Sequence, residues 1–124
     1  MNVKIDTKEK FHVITVLETD LTANMSAEIA ALTNEIRQGS VKNVVFNLEG
    51  VDNLAPEAAR GIAQLQQNAY ENGHSFVICG LGKGSEAVFE QEELLDLLNV
   101  TPTESEAWDI VQMEEIEREM LGDE

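Results

Sequence analysis

The side chains of this sequence that could do chemistry are few, and most stand apart from one another. Gly80-Leu81-Gly82-Lys83-Gly84-Ser85 follows an apolar run and opens a helical one, where a phosphate-cradling loop would sit. A P-loop needs four residues between its first glycine and Gly-Lys, with Ser or Thr directly after the lysine. Here the spacing is short and Gly84 separates Lys83 from Ser85, so the segment reads as a flexible strand-to-helix turn. Lys83 is the residue that a nucleotide phosphate would meet there. The histidines are His12, in a strand-like run, and His74, just past a helical stretch, where the dipole favours an imidazolium. With one cysteine and no histidines or carboxylates at ligand spacing, no metal site is expected. Cys79, among Val77, Ile78 and Leu81, reads as a small buried hydrophobe and not as a nucleophile. Glu92-Glu93 and Glu114-Glu115 fall in polar helical stretches and read as solvated faces, not acid–base machinery. No nucleophile is paired with a base, so neither an enzyme nor a cofactor is expected.

The chain has 124 residues, 43% apolar and 26% charged, which suits one folded domain with a modest core. Its charge is less ordinary: 24 Asp and Glu against 8 Lys and Arg, for a formal −16. Such a surface repels phosphate backbones and anionic head groups, which argues against nucleic acid and membranes as partners. A basic patch on a protein partner would be attracted, in a salt-sensitive way. The same acidity also serves solubility alone. No apolar run approaches the roughly 18 residues of a membrane span, so no direct insertion is expected. The first residues, MNVKIDTKEKFHV, lack the apolar core of a secretory signal, and one cysteine suits a reducing compartment, so the expected address is cytoplasmic.

The elements that must position these residues follow from periodicity. Val3 and Ile5 alternate with polar residues, and Phe11 to Leu17 is β-branched and aromatic, which predicts a hairpin turned at Lys8 to Lys10. A helix follows, capped by Asn24 or Ser26, with Met25, Ile29, Leu32 and Ile36 on one face and Gly39 as its stop. Val41 to Leu48 contains the run VVF of a strand buried on both faces. After a turn at Glu49 to Leu54, Pro56 occupies the first position of a helix whose inward stripe is Ala59, Ile62, Leu65 and Ala69 and which Gly73 closes. Phe76 to Cys79 is a second buried strand, so strand, helix and strand make a right-handed βαβ unit with parallel strands. A helix from Ser85, its cap, to Leu98 is predicted next, with Val88, Leu95 and Leu98 inward and a brief edge strand at Val100. Thr103 and Glu106 make a capping box for a last helix with Trp108, Ile110 and Val111 on its apolar side. From Glu114 onward the chain is too polar to need burial, which leaves it helical in solvent or frayed.

In order and spacing, three segments, VLETDLTAN, VKNVVFNLEGVDNL and FVICGLGKGSEAVFEQEELLDLLNVTPTESEAWDIV, resemble the STAS domain family, the anti-sigma-factor antagonists and their relatives. The resemblance runs from Val3 to about Val111. It divides the chain into a STAS-like domain over 1–111 and an acidic helical extension or frayed tail over 112–124. It implies an α/β fold, a mixed and mostly parallel sheet of about four to five strands with about four to five helices packed largely on one face.

In phosphoregulated members of the family a strand ending like "DLSGV" is followed by "DSSG" at the start of the next helix, and the first serine of the latter accepts phosphate from an anti-sigma-factor kinase. In this sequence Asn47-Leu48-Glu49-Gly50-Val51 matches the strand end, and Ala55-Pro56-Glu57-Ala58 occupies the motif. Pro56 therefore stands at the acceptor position, and no Ser or Thr occurs from Glu49 to His74. The family's acidic residue after the first hairpin is replaced by Thr22. Glu57 places a fixed negative charge in the first helical turn, either as a stand-in for a permanent phosphate or as ordinary dipole complementation.

The resemblance implies a non-catalytic protein-interaction module in bacterial signalling. Its partner would be an anti-sigma-factor kinase, a phosphatase or a related signalling protein, met through Asp52, Asn53, Ala55, Pro56, Glu57 and Arg60 without the usual serine switch. Small Ala55, Ala58 and Ala59 would let a partner backbone approach, or would simply pack on the sheet. Two alternatives are a STAS subunit of a lipid-transport ABC system and a nucleotide-binding sensor using Lys83, since some relatives are described as binding purine nucleotides.

Overall fold

The computed structural model describes residues 1–122. The final two residues of the expected acidic tail lie outside them. Strands β1 (Val3–Thr7) and β2 (Phe11–Val16) form the predicted antiparallel hairpin, its turn closed by the Lys8 amide donating to the Phe11 carbonyl at 2.8 Å. Beyond it lie β3 (Asp20–Leu21), α1 (Met25–Arg37), β4 (Asn43–Asn47), β5 (Asn53–Leu54), α2 (Pro56–Glu71), β6 (Phe76–Cys79), α3 (Lys83–Gln91), β7 (Val100–Thr101) and α4 (Glu104–Gly122). The main sheet runs β1-β2-β4-β6-β7, with β1 antiparallel to β2 and with β2, β4, β6 and β7 parallel to one another. This is the mixed, mostly parallel sheet that was expected.

Alternation along the central strands sorts their side chains between two faces. Ile14, Val16, Val44, Phe46, Phe76 and Ile78 point to one face, where α1, α2 and α3 bury them together with Ile29, Ile62 and Phe89. Phe11, Val13, Val45, Val77 and Cys79 point to the other, which α4 covers with Ala107 and Val111. At the two ends of β4, Asn43 and Asn47 fall on the α4 side. Asn43 Nδ2 donates to Glu115 Oε2 at 2.9 Å, and Asn47 Nδ2 donates to Glu104 Oε1 at 3.2 Å, so α4 is held at its start and just past its middle.

Several local expectations need correction. Neither Asn24 nor Ser26 caps α1: Asn24 stands at the cap position in a helical conformation with no side-chain bond, and the Ser26 hydroxyl is buried beside Gly61. The helix predicted over Ser85 to Leu98 begins earlier, at Lys83, and stops at Gln91. Glu93 takes φ +60°, and a single 3-10 turn follows at Leu95–Leu97, with Leu94, Leu95 and Leu98 packed against the core. Ser85 is not its cap but is buried within it, donating to the Val51 carbonyl at 3.2 Å. The supposed turn at Glu49 to Leu54 contains β5, which pairs with β3 in a separate two-stranded parallel ribbon. On α4 the Glu106 amide donates to Thr103 Oγ1 at 3.3 Å, one half of the predicted capping box.

Candidate protein-docking site

The segment from Glu49 to Arg60 leaves the carboxyl end of β4 and becomes the first turn of α2. It is clamped on two sides. On one, the Asp52 and Asn53 amides both donate to the Thr19 carbonyl, at 2.8 and 3.0 Å, and the Ala55 amide donates to the Leu21 carbonyl at 2.9 Å. Asn53 Nδ2 donates to Asp20 Oδ1 at 2.7 Å across the β3–β5 ribbon. On the other side stands the start of α3, with Ser85 bonded to Val51 and Gly84 against the Asp52 carbonyl. A Cβ on Gly84 would lie 2.9 Å from that oxygen, closer than any side chain tolerates.

The glycine-rich loop and the docking turn, which the sequence presents as separate candidates, are thus neighbours, and Gly84 has a packing reason. Gly80 has another: its φ is +77°, and a Cβ there would press on Asn47 and Glu49 at 3.1 Å. Lys83 is exposed at the first position of α3.

Within the turn Leu54 is buried, whereas Asp52, Asn53, Pro56, Glu57 and Arg60 are exposed and Ala55 is half-buried. Ala58 and Ala59 are fully buried against the core, so of their two readings the structure takes packing on the sheet. Ala55 sits at the N-cap of α2 in an extended conformation and provides no side-chain cap. The first turn therefore keeps donors turned outward, with Pro56, at the first helical position, contributing none. Arg60 is hydrogen-bonded to Glu92 and lies 3.9 Å from Glu57, which ties the exposed face of α2 to the segment after α3. The result is a clamped surface that exposes Asp52 and Glu57, with one bridged arginine and no hydroxyl at position 56.

The other candidate residues lie elsewhere. His12 is bonded through Nε2 to the Val41 carbonyl and through Nδ1 to the Thr7 hydroxyl, both at 2.9 Å, as a structural histidine. His74 reverses the expectation of a stabilised imidazolium. Burial, and then Lys42, Arg37 and Arg118, hold its pKa below the ordinary value. Cys79 is buried at the end of β6, and desolvation, with Glu104 and Glu49 adding to it, pushes its thiol up to about 12. A thiol so far from ionising is no nucleophile at neutral pH. Among the described residues no cluster of three or more His, Cys, Asp or Glu could hold a metal ion. Nor is any described helix long and apolar enough to cross a membrane. Sequence reasoning missed Thr19, Asp20 and Glu92, which support the site. The only signal for the first two was lone Leu21 in a polar stretch, too short a pattern to mark a strand.

A STAS domain model matches residues 2–107. The chain belongs to the STAS family. Solved structures agree with the fold of this STAS protein. An RsbS variant from Moorella thermoacetica superposes with a TM-score of 0.75 at 16% identity, over 90% of this chain and 96% of that one. The anti-sigma-factor antagonist SpoIIAA in its unphosphorylated form gives 0.72 at 18% identity, over 90% and 96%. A chain of the stressosome, a signal integration and transduction hub, gives 0.68 at 17% identity, over 88% and 96%. Curated protein sequences give no match. The neighbours of this STAS domain are thus anti-sigma-factor antagonists and stressosome components.

Proposed function

We propose that this STAS protein is a non-catalytic docking module of the anti-sigma-factor antagonist type in bacterial signalling, cytoplasmic, and not switched by serine phosphorylation at the start of α2. The observation that carries the reading is Pro56, an exposed residue without a hydroxyl at the first position of α2, on a turn clamped by β3 and α3. A residue with no oxygen accepts no phosphate, and a clamped turn offers a fixed surface that needs little ordering on binding. The partner is a signalling protein with a basic contact patch, met through Asp52, Asn53, Ala55, Pro56, Glu57 and Arg60. The chain's formal charge of −16 supports fast, salt-sensitive association with it. Glu57 acts by ordinary complementation of the helix dipole, since its carboxylate already has Arg60 nearby.

Packing of Gly84 on Asp52 accounts for the glycine loop without a nucleotide, which favours docking over a sensor using Lys83. Affinity capture from the native host tests the reading. Partner recovery is expected at low salt, with loss at high salt and with Asp52→Lys/Glu57→Lys. Recovery that ignores both changes contradicts it.

A further inference from the structure

We infer that α4 carries a second docking surface, a ridge turned away from the sheet, which takes a basic amphipathic helix of another protein. α4 meets the sheet through Ala107 and Val111, and Glu115 and Arg118 continue that side toward Asn43 and Ser75. At about 100° per residue, Met113, Ile116 and Met120 emerge on roughly the opposite side. They are 61%, 55% and 69% exposed. Single exposed apolar side chains are normal, but a run at i, i+3 and i+7 is a continuous stripe of the kind that one helix offers another. The remaining exposed large apolar residues among those described are Ile5 on β1, Leu17 just past β2 and Leu97 on the 3-10 turn.

Charge selects the occupant. α4 holds seven acidic residues (Glu104, Glu106, Asp109, Glu114, Glu115, Glu117 and Glu119) against one arginine, a net −6. That arginine, Arg118, is engaged by Glu115, Asn43 and Ser75. A second copy of this chain would set the same charge against itself, and an anionic membrane would be repelled likewise. A helix whose apolar stripe is bordered by lysine or arginine matches both the ridge and its acidic borders. Beside Ile116 a cleft of 270 Å³ opens between α4 and the β1–β2 turn, lined by Glu9, Lys10, Gln112, Glu115 and Glu119, with Lys10 paired to Glu119 at 3.4 Å, and one large side chain of such a helix can anchor in it.

The test titrates the full chain with a peptide of about 18 leucines and lysines patterned as an amphipathic helix, and with the same residues scrambled. The patterned peptide is expected to bind at least about tenfold more tightly. Amide NMR shifts should gather on residues 113–121, and Met113→Gln/Ile116→Gln/Met120→Gln should weaken binding by at least about tenfold with an unchanged circular dichroism spectrum. Asp109→Lys/Glu117→Lys keeps the ridge and should weaken binding severalfold, which decides the matter if the triple variant does not fold. Equal binding of the two peptides, shifts gathered elsewhere, or an indifferent triple variant overturns the inference. So does a wild-type dimer that the triple variant dissolves, because the occupant is then a second copy.

Discussion

The sheet is covered by three helices on one face and by a single helix on the other, and the two coverings hold by different means. Beneath α1, α2 and α3 lie large side chains in mutual contact, with Phe46 and Phe76 rings 5.8 Å apart and Phe89, Ile62 and Ile29 closing over them. Beneath α4 the apolar contact comes from small Ala107 and Val111, extended at one edge by Trp108 on Phe11 with ring centroids 5.4 Å apart. Hydrogen bonds do the rest there: Asn43 and Asn47 to Glu115 and Glu104, Arg118 to Ser75, and Tyr70 Oη to Glu114 at 2.7 Å. The three-helix face holds the proposed docking turn in place, because α2 and α3 are set by its core. The α4 face needs only one side of its helix, which leaves the other side free for the ridge.

The contrast is broken most directly by cavity-making substitutions. Phe46→Ala is expected to cost about 3–5 kcal/mol of unfolding free energy, whereas Val111→Ala under α4 should cost about 1–2 kcal/mol, both read from urea unfolding midpoints. Equal losses would mean that α4 contributes as much to the core as the other three helices. Asn43 comes next. Its side chain donates to Lys10 O and Glu115 and accepts from the Ser75 amide and Arg118, so Asn43→Ala leaves several buried groups unpaired. A loss of about 1–3 kcal/mol follows, with faster amide exchange confined to the second half of α4.

Gly84→Ala forces the Asp52 carbonyl to move. Partner binding should fall by about tenfold for less than about 2 kcal/mol of stability, measured by calorimetry beside thermal unfolding. The smallest effect is pH. His74 is held below 6.5 by burial and nearby cations, and Glu115 below 4.5, first by the hydrogen bond from Asn43. In each case the unfolded chain takes up protons first as pH falls. Stability is therefore complete above these ordinary values, begins to decline as pH drops below 6.5, and declines further below 4.5. His74→Gln should remove the first decline from a pH series of urea midpoints.

The three-helix face was legible because its signals are long. VVF and FVIC read as buried strands, and the stripe Ala59-Ile62-Leu65-Ala69 fixed the inward side of α2. The sequence also placed Pro56 at the start of that helix. What it hid was tertiary: a two-residue ribbon between β3 and β5 has no periodicity to detect, and the pairing of Gly84 with Asp52 joins residues 32 positions apart. Leucines spaced as for one helix after Ser85 instead reach the core through a break at Glu93, since local spacing cannot reveal a positive φ. On α4 the capping box and apolar side could be read, but Met113 and Ile116 on the far side could not be told from a solvated stretch.

The central claim is docking through the turn and first residues of α2 without a phosphate switch. Its most direct measurement is calorimetric titration of the partner recovered by affinity capture into this chain, with and without ATP. The account predicts one affinity under both conditions, weakened by about tenfold or more in Asn53→Trp, and no phosphate on the chain by mass spectrometry. An affinity that ATP abolishes, or one that Asn53→Trp leaves untouched, would contradict it.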